Sequence, residues 1–185
     1  MKDTGITRRI DELGRIVIPR ELRKILRIKD GDPLEFYSNN EEIIIKKYSP
    51  IANIEMHAQS VAEGIKETTE KDCIIVDKDQ VVYATGTSKK ELVGKDISYQ
   101  LEKVIDEKKS LVLSKTDGGS VVPVVNGDTL NTENQIIVPV MTGGDVFGGI
   151  ILFDADKENR FNCSDVKLVS LGATFIAKQF EDINL

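Results

Sequence analysis

Apolar and polar positions change phase every few residues over the first fifty residues of the chain. Ile6 to Ile10 alternate and then stop at Asp11-Glu12-Leu13-Gly14, which predicts a strand ending in a glycine-closed loop. Arg15 to Ile18 read as a short β-branched strand stopped by Pro19. That proline suits the first turn of a helix over about Arg20 to Leu26. Asp30-Gly31-Asp32-Pro33 is a strong break, and Leu34 to Tyr37 and Glu42 to Tyr48 read as strands joined at Ser38-Asn39-Asn40. About fifty residues bury too little apolar surface to hold a fold without help. No disulfide or metal offers that help here, so two copies are expected to share one core.

The period then lengthens. Ile51, Ile54, Ala58, Val61 and Ile65 recur at spacings of three and four, the seam of a helix that packs on other helices. Two readings stay open: a core helix of the following domain, or a connector helix at a subunit interface. From about Asp72 the pattern returns to strands. Cys73 to Val76 and Gln80 to Ala84 flank an Asp77-Lys78-Asp79 turn, Ser98 to Lys109 read as helix, and Val121 to Val125 as strand. Gln135 to Met141 and Asp145 to Phe153 form a hairpin about Thr142-Gly143-Gly144, and Asp165 to Glu181 is a final helix. This order fits an antiparallel sheet with helices on one side. The expected division is residues 1–50, a connector helix at 51–71, and a domain at 72–185.

The final helix carries two apolar stripes. Val166, Val169, Ala173, Ile176 and Phe180 form one, and Leu168, Leu171 and Phe175 the other. A surface helix needs one stripe to cover its own sheet, so the second implies a partner, or else a helix buried within its own domain. The contact set expected for pairing with another subunit is Ile51, Ile54, Val61 and Ile65 with Val166, Val169, Ala173, Ile176 and Phe180.

Charge alters this picture. The formal net charge of -6 is unevenly spread: residues 1–29 hold nine Lys/Arg against four Asp/Glu, and the remainder sixteen against twenty-seven. A basic head on an acidic body can still grip phosphate, because the fields are screened within about 10 Å. Arg8, Arg9, Arg15, Arg20, Arg23, Lys24 and Arg27 fall within twenty residues, the last four at helical spacings. Arginine's planar fork suits phosphates and guanine edges. The competing reading is a solvated face with internal ion pairs to Asp11 and Glu21.

A resemblance strengthens the first reading. Thr4-Gly5-Ile6, Arg8, Asp11-Glu12-Leu13-Gly14-Arg15-Ile16-Val17-Ile18-Pro19, Glu21-Leu22-Arg23 and Ile43-Ile44-Ile45-Lys46-Lys47-Tyr48 closely resemble the AbrB-type transition-state regulators. The resemblance covers about the first fifty residues. It implies a swapped-hairpin β-barrel, an interleaved dimer that grips double-stranded DNA with arginines. It implies DNA contact at Arg8, Arg15 and Arg23; Lys24 stands where the family has arginine, and Arg9 and Arg20 are candidates from charge alone. Ser49-Pro50-Ile51, Gly86-Thr87-Ser88-Lys89-Lys90 and Gly94-Lys95-Asp96-Ile97-Ser98 are similar to family members with a longer C-terminal part. For those the resemblance implies a GAF-type small-molecule sensor domain, a homotetramer through both domains, and regulation of forespore genes. The expected class is therefore α+β: a swapped-hairpin barrel followed by a GAF-like antiparallel sheet with helices.

Other chemistry finds little support. Gly143-Gly144-Asp145-Val146-Phe147-Gly148-Gly149 lacks the Lys-Ser/Thr of a phosphate loop and sits in a hairpin, and Gly94-Lys95 lacks the upstream glycine. Asn126-Gly127-Asp128 is a turn signal. His57 is the single histidine, and Cys73 and Cys163 are far apart, which predicts buried thiols and no metal site. No nucleophile, base and orienting group come together, so no enzyme and no cofactor are expected. The start of the chain lacks a signal-peptide core and no apolar run spans a bilayer, which predicts a cytoplasmic protein without a membrane partner. Two alternatives remain: an antitoxin-like head with a toxin-binding tail, and a ligand sensor whose head serves only for assembly. Nothing identifies an effector.

Overall fold

The computed structural model, which describes residues 5–39, 42–47, 55–86, 89–127 and 130–181, places helix and strand in two units, Met1–Tyr48 and Ser49–Leu185. The first unit holds α1 (Arg20–Ile25), β1 (Leu34–Asn39) and β2 (Glu42–Lys47). The two strands pair antiparallel, with Phe36 opposite Ile45, Ser38 opposite Ile43 and Leu34 opposite Lys47. Alternation puts Leu34, Phe36, Ile43 and Ile45 on one face of the hairpin. That face is open: Phe36 and Ile43 are each 67% exposed. Pro19 is the one buried residue among those described between 5 and 47, and α1 buries no side chain.

The strands expected at Ile6 to Ile10 and Arg15 to Ile18 form no ladder within the chain. Strands are held by their neighbours, and this unit supplies none to these segments. Ile10, Ile16 and Val17 accordingly stand exposed.

The second unit is a five-stranded antiparallel sheet between helices. Its elements are α2 (Glu55–Thr69), β3 (Asp72–Asp77), β4 (Val81–Ala84), α3 (Lys89–Leu92), α4 (Tyr99–Asp106), β5 (Leu111–Ser114), β6 (Asn134–Thr142), β7 (Asp145–Asp154) and α5 (Cys163–Glu181). The sheet order is β4-β3-β7-β6-β5. Cys73, Ile75, Ile136, Val138, Ile150 and Leu152 share one core with residues of α2 and α5. Ile74, Val76, Ile137, Ile151 and Phe153 share the other with Leu92, Leu101 and Ile105 of α3 and α4. Helices thus cover both faces, not the single face expected from element order. The unbroken apolar runs of β3, β6 and β7 carry this information, since only a strand covered on both sides reads without alternation.

Two further corrections concern local elements. Val121 to Val125 form no strand; Val125 makes an isolated bridge to Ile97. The Gln135 side chain holds this segment instead, donating to Val122 O at 2.9 Å and accepting from Val122 N at 2.8 Å. Ser98 caps α4 by accepting from Leu101 N, and its hydroxyl donates to Pro123 O. β5 and α3, short and weakly patterned, were not expected. β5 pairs only with Asn134–Ile137, so the rest of β6 borders β7 alone, and Pro139, which has no N–H, lies in that stretch.

The final helix corrects the expected contact set. Val169 and Ile176 are fully buried, Ala173 and Ile65 nearly so, and Val61 and Val166 pack against the same core. These residues hold α2 and α5 onto their own sheet, with Val61 and Val166 only partly buried. A methyl group on Gly172 would meet Val61 Cγ1 at 2.9 Å, so the helices cross closely there. Ile51 and Ile54 lie outside the described residues, as does the Phe180 side chain. In the second stripe Leu168 packs against the same core, while Leu171 is 67% and Phe175 46% exposed, with His57 of α2 beside the Phe175 ring at 6.3 Å. Cys73 is buried, and burial pushes its thiol far above the usual range; Cys163, expected to be buried, is exposed.

Candidate nucleic-acid interface

The loop after Ile10 is built by one carboxylate. Gly14 takes a positive φ of 76°, which lets its N–H donate back to Asp11 O at 3.0 Å. Asp11 N donates to Arg15 O at 3.1 Å, closing the loop. The Asp11 side chain accepts from Leu13 N at 3.0 Å and Arg15 N at 2.8 Å on Oδ1, and from Arg15 Nε at 2.8 Å on Oδ2. The Arg15 backbone and guanidinium hold the Asp11 carboxyl below its ordinary range. The ion pair foreseen in the competing reading therefore exists, yet Arg15 remains 70% exposed.

Pro19 stands immediately before α1, as its fixed φ suits. Arg27 ends the turn with a φ of 52°. Arg20 and Lys24 are exposed on the helix, while Arg23 is half-buried and donates from Nη1 to Asp30 Oδ1 at 2.8 Å. Its Nε is buried without a hydrogen-bond partner among the described residues. Arg8 and Arg9 are exposed ahead of the loop, with Arg8 Nη1 on Thr7 O at 2.9 Å. The unit thus gathers Arg8, Arg9, Arg15, Arg20 and Lys24 at its surface without burying any of them. Sequence reasoning had set Asp11 aside as a neutralising partner. Its spacing to Gly14 and Arg15 was the available sign that it shapes the loop.

The chain after residue 29 is acidic instead, with sixteen Lys/Arg against twenty-seven Asp/Glu. Gly143 and Gly144, both at positive φ, close the β6–β7 turn, so the glycine-rich segment is structural. Among the described residues no group of three or more His, Cys, Asp or Glu side chains is placed to hold a metal ion. No described helix is long and apolar enough to cross a membrane.

Comparison with known proteins separates the same two parts. Residues 53–181 match the family described as stage V sporulation protein T C-terminal, transcription factor, and residues 7–53 match antidote-toxin recognition MazE, bacterial antitoxin. Stage V sporulation protein T of Bacillus subtilis (strain 168) is 37% identical over 182 residues, covering 98% of this chain and 99% of that protein. The transition state regulatory protein AbrB of the same organism is 47% identical over 66 residues, 36% of this chain and 69% of that one. Among solved structures, the GAF domain from an Acinetobacter phosphoenolpyruvate-protein phosphotransferase is 12% identical with a TM-score of 0.56, covering 72% of this chain and 90% of that one. At that identity the likeness is one of fold, and it makes the second unit GAF-like.

Proposed function

The chain belongs to the stage V sporulation protein T family and is a sporulation transcription regulator with a GAF-like C-terminal domain; on that premise we propose that its first unit binds double-stranded DNA as an interleaved dimer and that its second unit joins two such dimers. The observation that carries this reading is the first unit's inverted economy. Many of its apolar side chains stand open, Leu13, Val17, Ile25, Phe36 and Ile43 among them, while Arg8, Arg9, Arg15, Arg20 and Lys24 lie exposed at its surface. Pairing with a second copy would cover the first set and double the second.

In this mechanism Arg8, Arg15 and Arg23 touch DNA in each subunit, with Arg9, Arg20 and Lys24 adding phosphate contacts. Phosphate contacts supply most of the affinity, and a few arginines reach base edges to bias the sequence. Lys24 grips phosphate as a point charge and lacks the fork that reads a base. The exposed Leu171 and Phe175 face of α5 pairs with its equal in another chain, giving a homotetramer. Two linked heads then raise each other's effective concentration on paired sites. A small molecule held by the GAF-like unit would act by changing that linkage. The protein works in the cytoplasm on forespore genes as activator and repressor, and it binds rather than catalyses.

Arg15→Ala and Arg23→Ala test the interface. If each removes one phosphate contact per subunit, the log-log salt slope of DNA binding falls by about two per dimer. An unchanged slope and affinity in both variants would remove these residues from the interface. The match of residues 7–53 to an antitoxin family favours a second reading, a toxin-neutralising head. A toxin-binding tail folds on its target, whereas residues 55–181 here carry two cores of their own. Protease resistance of the C-terminal unit in the free protein separates the two.

A further inference from the structure

We infer that Asp11 is a positioning residue for sequence discrimination: it fixes Arg15 before DNA arrives and leaves the reading edge of the guanidinium free. The inference rests on the DNA-binding reading of the first unit and goes beyond it, because Asp11 bears the same charge as the ligand. A carboxylate beside phosphates weakens binding unless it does something else there.

The hydrogen bonds say what it does. An aspartate that faces an arginine with both oxygens free makes a two-point pair and consumes the side of the fork that DNA would use. Here Oδ1 is already taken by two backbone donors, Leu13 N and Arg15 N. Only Oδ2 is left for the arginine, and it takes Nε at 2.8 Å. Nε is the inner donor of the five that a guanidinium carries. The Nη1 and Nη2 groups make no ion pair among the described residues, and the Arg15 side chain stays largely exposed. The loop carboxylate thereby anchors the base of the fork and leaves its outer edge open. That outer edge is the one that matches a guanine or a phosphate in two-point fashion.

Arg23 provides a contrast within the same unit. Its carboxylate partner Asp30 engages the outer Nη1 and is itself 95% exposed. That pair competes with DNA for the tip of the fork, whereas the Asp11 pair does not. An exposed ion pair adds little stability by itself. The effect of Asp11 is therefore expected in discrimination among sequences, with overall folding left as it is. Ordering a rotamer-rich side chain before contact spares that cost at the moment of binding.

The test uses the full-length protein and two duplexes of equal length: one selected by the parent protein from random sequence, and one scrambled. Asp11→Asn retains an oxygen for the loop N–H groups and replaces the Nε acceptor with a donor. Affinity for the selected duplex should fall about tenfold per dimer, the worth of one pre-ordered side chain in each subunit. Affinity for the scrambled duplex should hold or rise up to about threefold, because one negative charge per subunit has gone. In an Arg15→Ala background the same substitution should leave the ratio of the two affinities unchanged. Both affinities falling together would mean a collapsed loop and overturn the inference. Both rising together would reduce Asp11 to a simple charge and overturn it too. If Arg15→Ala itself binds both duplexes like the parent protein, the DNA interface is misplaced and the failure lies with the reading beneath.

Discussion

The two units solve the problem of burial in opposite ways. In the GAF-like unit, Ile74 and Ile75, neighbours on β3, are both fully buried because helices cover each face of one sheet. In the head, Phe36 and Ile43 lie on one face of a hairpin and remain open. On the proposed reading, one chain holds a core that it completes and a core that it leaves to a partner. The first kind depends on chain length; the second depends on concentration.

The sharpest way to break this comparison is a charge on the open face of the head. Ile43→Asp should abolish the head's own thermal transition, since burying an unpaired carboxylate costs several kcal/mol. In the parent protein that transition should move upward with protein concentration far more steeply than that of the GAF-like unit, whose core is complete within the chain. Calorimetry over a hundredfold concentration range reads both. A head transition independent of concentration would mean that the unit is stable alone.

A cavity in the completed core comes next. Ile151→Ala should destabilise the GAF-like unit by about 2–5 kcal/mol, because a buried isoleucine leaves a void that its surroundings only partly close. The head transition and its concentration dependence should not change. Denaturant titration followed by a probe in each unit would check this, and a coupled loss of both would join what we describe as separate.

The smallest effect on stability should accompany the clearest change in assembly. Leu171→Ser with Phe175→Ser alters exposed positions, where changes usually stay within about 0.5 kcal/mol each. The transitions of both units should hardly move, while sedimentation shifts from tetramer to dimer. A tetramer that survives both substitutions would place the second interface elsewhere.

Much of the fold was legible, and the misreadings have physical causes. The β6–β7 hairpin, the final helix and the break at Asp30 to Pro33 rest on local patterns that tertiary context does not override. Counting stripes on α5 correctly found two, yet the larger stripe was assigned to the partner. Spacing alone cannot say which face the chain's own sheet will take, and Gly172 settles it by letting α5 close on Val61 and Ile65. The segments Ile6 to Ile10 and Arg15 to Ile18 have strand chemistry and no strand partner within one chain. In the interface, the arginines were visible from composition. The role of Asp11 was not, because it depends on which of its oxygens the backbone claims first.

The border of the larger sheet limits how these molecules can grow. β6 outruns its neighbour β5, and an uncovered strand margin invites another chain to lie alongside and extend the ladder. Here Val138, Pro139 and Val140 are buried along that stretch, and Pro139 carries no N–H to offer a newcomer. Lateral stacking is thereby discouraged at this margin; in the proposed assembly chains meet through helices and heads, contacts that close on themselves and give assemblies of finite size.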